Sequence, residues 1–153
     1  HPELTKAHTF KVKQLTRTPE AESAARFSPK GDRIAFLRSG QLWTMKPDGT
    51  EPKAVFDVRQ VFDYDWSPDG KHVVFARMDG SFASEVYIAP VDGGEAPRNV
   101  TRYATYNGDV SWAGNKVAFL GQRRGTYSPH VLSLQRPAAP GAPKTAPGEI
   151  DWD

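Results

Sequence analysis

Three stretches of this chain align with one another, and that internal repeat restricts the possible folds more than any other feature. The first reads Ala25-Arg26-Phe27-Ser28-Pro29-Lys30-Gly31-Asp32-Arg33-Ile34-Ala35-Phe36. The second reads Tyr64-Asp65-Trp66-Ser67-Pro68-Asp69-Gly70-Lys71-His72-Val73-Val74-Phe75. The third, with a shortened turn, reads Val110-Ser111-Trp112-Ala113-Gly114-Asn115-Lys116-Val117-Ala118-Phe119. Trp66 follows Phe27 by 39 residues, and Trp112 follows Trp66 by 46. Periods of roughly 40–45 residues belong to the four-stranded blades of β-propellers.

The chemistry inside each unit agrees. In Ser67-Pro68-Asp69-Gly70, proline presets φ at the second turn position, aspartate suits the third, and glycine tolerates positive φ at the fourth. Pro29 and Gly31 hold the same places in the first unit. An aromatic residue before the turn ends one strand, and the apolar run after it begins the next. Runs apolar on both faces imply strands buried on both sides. Third strands follow at Gln41–Met45, Glu85–Ala89 and His130–Leu134, and more polar fourth strands at Pro52–Phe56 and Pro97–Thr101. An outermost strand meets more solvent, so that polarity is expected.

The expected architecture is therefore all-β: about three four-stranded antiparallel propeller blades in an incomplete ring. After a lead-in at 1–9, residues 12–17 match 97–102 position for position, so 10–17 read as the outer strand of a preceding blade. Blades follow at 22–57, 60–102 and 106–135, so the propeller region is 10–135, and a Pro/Ala/Gly-rich tail occupies 136–153. Propellers close with roughly four to eight blades. Three units leave terminal faces uncovered, so either further blades complete the ring or copies self-associate.

Composition narrows the function classes. There are 20 basic and 18 acidic residues, a balance that gives no nucleic-acid or membrane-surface footprint. No apolar stretch approaches a membrane span, and the first residues form no export signal. The absence of cysteine excludes disulfides, iron–sulfur clusters and thiolate zinc sites. Both cytoplasmic and periplasmic or secreted locations remain open.

The repeated Phe/Trp-Ser-Pro-Asp/Lys-Gly followed by an apolar strand resembles the TolB-type propeller repeat. That repeat also occurs in prolyl-oligopeptidase-type and tricorn-type peptidases and in some amidohydrolases. The segments Tyr64–Lys71, Ser84–Gly94, Asn99–Arg102, Ala118–Gly125 and Glu149–Asp153 are most similar to the last blades of the second propeller of tricorn-type serine peptidases. Trp112-Ala113-Gly114-Asn115 departs from the pattern, because it lacks Ser-Pro-Asp. The resemblance implies a non-catalytic propeller that guides peptides or docks proteins, with PDZ-like and catalytic regions expected after Asp153.

The residues themselves spell out no catalytic centre. His1, His8, His72 and His130 have no zinc-motif spacing, and no nucleophile elbow or phosphate-binding loop occurs. Ser28 and Ser67 recur as first residues of turns, which suits a structural hydroxyl rather than a unique nucleophile. Asp63, Asp65 and Asp69 are oxygen ligands close in sequence, yet strand and turn roles explain them, so no metal and no cofactor is expected. Candidate peptide contacts are Arg123 and Arg124, for bidentate recognition of a carboxylate, with Tyr103 and Tyr106 at a mouth of the ring. The structural repeat residues are Phe27, Pro29, Gly31, Phe36, Trp66, Pro68, Asp69, Gly70, Phe75, Trp112 and Phe119. Three functions fit: a peptidase accessory propeller, a TolB-like protein-binding module, or the propeller part of an amidohydrolase.

Overall fold

A computed structural model of the chain describes residues 10–102 and 105–134. Every described element is a strand, and the strands form three antiparallel sheets. The first sheet contains β1 (Glu22–Phe27), β2 (Ile34–Arg38), β3 (Gln41–Met45) and β4 (Lys53–Ala54) in sequential order. The second contains β5 (Val61–Trp66), β6 (His72–Met78), β7 (Ser84–Pro90) and β8 (Arg98–Asn99). The third contains β9 (Asn107–Ala113), β10 (Lys116–Arg123) and β11 (Thr126–Ser133). These sheets are propeller blades.

The turns form as their residues dictate. Gly31 N–H donates to the Ser28 carbonyl at 2.8 Å and Gly70 N–H to the Ser67 carbonyl at 2.9 Å, each glycine with φ above +70°. The serine hydroxyls close the loops by accepting from Arg33 N–H and His72 N–H. Ser67 Oγ also donates to Asp69. Lys30 stands at the equivalent of Asp69, and in that unit Ser28 Oγ donates to Asp32 instead. The third unit makes a two-residue turn at Gly114-Asn115, with positive φ at Gly114 alone, as a type II′ hairpin requires.

Alternation along each strand distributes side chains between two seams. Ala35, Leu37 and Leu42 of the first sheet pack against Tyr64, Trp66, Val73 and Phe75 of the second. The opposite face of the second sheet, including Val74, Ala76, Val86 and Ile88, packs on Val110, Trp112, Val117 and Phe119 of the third. The middle sheet is thus covered on both faces, which explains the uninterrupted apolar run of β6. Phe75 stacks between Phe56 and Tyr87, with ring centroids 4.8 and 5.4 Å away.

The third blade has three strands among the described residues, and 135 onward lies outside them. Three expectations are corrected. The outer strands β4 and β8 shrink to two residues each, because solvent competes for backbone pairing at a rim. The strand expected from His130 already begins at Thr126, extended by the turn at Arg124-Gly125. Residues 10–17 form no strand, having no strand to pair with among the described residues. Instead Leu15 lies on Ile34, Phe36 and Met45, the face of the first sheet turned away from the second.

Phe27 is the instructive departure. Trp66 and Trp112 hold the same repeat position and are 4% and 7% exposed, each against the preceding blade. Phe27 pairs with Ile34 on the outward face of the first sheet and is 62% exposed. The repeat places all three aromatics identically; only a neighbouring blade buries them. Phe36 stays buried on that same face, beneath the Arg38 guanidinium 5.3 Å away.

Candidate functional site

The inner strands β1, β5 and β9 are edge strands, and their side chains reach across to the next blade. Arg26 donates to the Tyr64 carbonyl, and Trp66 Nε1 donates to the Arg26 carbonyl at 3.3 Å. One blade further on, Asp63 accepts from Val110 N–H and Asp65 accepts from Trp112 N–H, each at 2.8 Å. Pairing 63 with 110 and 65 with 112 aligns β5 and β9 in the same direction. Asp63 and Asp65, two of the three carboxylates singled out as possible metal ligands, thus satisfy the open edge of the next strand. No group of side chains suited to a metal ion occurs among the described residues.

Other ionisable groups have comparable structural tasks. Arg33 of the first Ser-Pro turn pairs with Asp92 at 2.8 Å, tying the first blade to the second. Tyr64 is fully buried, its hydroxyl reaching the Ala24 and Ala35 carbonyls, and burial pushes its pKa up. Burial opposes ionisation of Asp69, but the Ser67 hydroxyl and Lys71 N–H hold its carboxyl below the ordinary range. His72 is half-buried at the start of β6, and burial lowers its pKa. His130 lies within β11 and stacks on Phe119 at 5.3 Å.

The candidate peptide contacts separate. The Arg123 guanidinium turns inward, donating to Asn107 Oδ1 at 3.1 Å and to Thr105 Oγ1 at 3.2 Å. Asn107 is fully buried and donates to the Ser84 carbonyl at 2.7 Å. Arg123 therefore braces the link between the second and third blades, with its fork used on an amide rather than a ligand carboxylate. Arg124 sits at the tip of a two-residue turn, with φ of 52° followed by 78° at Gly125, as a type I′ turn demands. Tyr103 lies outside the described residues.

Tyr106 does join a group, with partners the repeat pattern does not single out. Its ring lies 6.1 Å from Phe62 and 5.6 Å from Tyr127, forming a strip from the second blade to the third. Tyr127 is 55% exposed. Burial raises the Tyr106 pKa, and the charges of Asp109 and Asp63 add to it. Gly108 makes room for the strip: a Cβ there would stand 2.6 Å from the Tyr106 hydroxyl and 3.0 Å from Phe62. Phe62 occupies a bulge in β5, where pairing shifts between Val61 and Asp63. A lone glycine in a strand, close to a Tyr and an Asp, was the sequence signal for this arrangement.

Sheets of three or four sequential antiparallel strands, stacked through aromatic seams and without a catalytic constellation among the described residues, define a β-propeller segment. Among solved structures, the chain is similar to a putative TolB from Agrobacterium tumefaciens, with 22% identity and a TM-score of 0.63 over 78% of this chain and 45% of that one. It is also similar to the tricorn protease, with 13% identity and a TM-score of 0.60 over 85% of this chain and 16% of that one. A third match is the acylaminoacyl peptidase of Pyrococcus horikoshii, with 15% identity and a TM-score of 0.55 over 73% and 24% respectively. The chain thus spans less than half the length of these structures. No family model and no curated protein matches the sequence.

Proposed function

We propose that this chain is a non-catalytic propeller segment of a larger, tricorn-like peptidase, where it guides peptides or docks proteins. The observation that carries this reading is the use made of its polar side chains. Asp63, Asp65, Arg26 and Arg123 are spent on joining blades. The blade ends present aromatic rings instead, a surface suited to binding and not to bond chemistry. Likeness to the propellers of two peptidases supports the parent class.

The decisive test is the reading frame beyond Asp153. A PDZ-like and serine-peptidase region is expected there, and a stop codon or an unrelated domain would overturn the peptidase reading. The chain alone is expected to hydrolyse no peptide; hydrolysis surviving rigorous purification would refute the non-catalytic assignment. A TolB-like protein-binding module is the second reading, favoured by the TM-score of 0.63 to a putative TolB. It requires a complete propeller with an additional N-terminal domain and no peptidase region.

A further inference from the structure

The aromatic strip has features that packing alone does not require. Strand direction puts the starts of β5, β9 and β11 at one end of the sheets, so Phe62, Tyr106 and Tyr127 gather at one rim. The turn between β6 and β7 opens on the same rim and carries Phe82, which is 93% exposed with φ at 63°. A bulky residue held in that region is uncommon, and such strained residues cluster at functional sites.

Spacing and charge suggest what fits. Neighbouring rings are 6.1 and 5.6 Å apart. Side chains two apart share one face of an extended peptide and are separated by about 6–7 Å, so they match the spacing of successive rings. Carboxylates flank the Phe62–Tyr106 half, where Asp63 and Asp109 both act on the Tyr106 hydroxyl. Asp63 already leans on Arg26 at 3.5 Å. Asp109 is exposed on β9 and makes no ion pair among the described residues. Aromatic faces beside an uncompensated carboxylate favour a cation.

We propose that the Phe62–Tyr106–Tyr127 strip docks an extended peptide with apolar side chains at alternate positions and a lysine or arginine seated against Asp109. This deepens the peptide-guiding reading and rests on it. The test uses the full chain and fluorescence anisotropy with two fluorescein-labelled octapeptides. One alternates leucine and proline around a single arginine; the other carries glutamate in place of that arginine. The arginine peptide should bind, and the glutamate peptide should bind roughly tenfold more weakly. Tyr106→Ala should weaken the arginine peptide by about tenfold or more. Gly108→Ala keeps every ring but displaces Tyr106, and should weaken binding as well. Asp109→Asn alters one exposed side chain and should remove the preference for arginine over glutamate; it decides the matter if Tyr106→Ala fails to fold. Binding unchanged by all three substitutions would overturn the strip as the site while leaving the guiding role standing. A folded chain that binds neither peptide would overturn both.

Discussion

Replacing Trp66 and Phe27 by alanine in separate variants makes the same change at two copies of one repeat position. Trp66 is 4% exposed, is sealed between the first two blades, and donates its indole N–H to Arg26. Truncating a buried tryptophan to alanine costs about 3–5 kcal/mol, through lost burial and an unfilled cavity. Phe27 is 62% exposed, so only a minor share of its ring leaves water. At about 1.5–3 kcal/mol for complete burial of such a side chain, its truncation costs about 1 kcal/mol or less. In a chain of this size each kcal/mol moves Tm by about 2–4 °C, so Trp66→Ala should lower Tm by roughly 6–20 °C and Phe27→Ala by no more than about 4 °C. The measurement is urea and thermal unfolding followed by far-UV circular dichroism, at dilutions where light scattering shows a single species. Equal losses, or a greater loss at Phe27 in dilute solution, would refute the argument that a neighbouring blade decides burial at this position.

Three other outcomes follow from the same structure. Asp65→Ala should cost about 1–3 kcal/mol by leaving edge donors unmet, and hydrogen exchange should quicken at the Trp66 and Trp112 amides but not at Val110, which Asp63 holds. Unchanged protection at Trp112 would dismiss the strut. Burial lowers the folded pKa of His72, so the unfolded chain takes up the proton first as pH falls through about 6.5. The stability present above that pH is then lost as pH drops toward the folded value, and His72→Gln should flatten the urea midpoint between pH 7.5 and 5; an identical slope in the variant would exclude this source. Finally, the uncovered Phe27 and Val131 faces should drive self-association at micromolar concentration, with Phe27→Glu or Val131→Glu restoring the monomer. A monodisperse wild-type monomer in light scattering would contradict this.

Much of the architecture was legible because it is encoded locally. Ser-Pro-Asp-Gly forms its turn through its own hydroxyl, ring and φ preferences, whatever lies nearby. The apolar run Val73-Val74-Phe75 announced a strand covered on both faces, and β6 is such a strand. The strip was only partly visible. Tyr106 stood out by position, but Phe62 and Tyr127 lie 44 and 21 residues from it in sequence, and only the seam between blades brings their rings together.

The sequence by itself determined the repeat, the strand-and-turn order and the positions of the aromatic seam residues. Tertiary structure alone decided which of those residues are covered, because burial at Phe27, Trp66 and Trp112 depends on a blade some forty residues distant. It also decided the roles of Asp63, Asp65 and Arg123. Local chemistry leaves a carboxylate or guanidinium free to ionise, bind a ligand or brace a strand. The choice is made by the unpaired backbone or amide group that the next blade places within hydrogen-bonding reach.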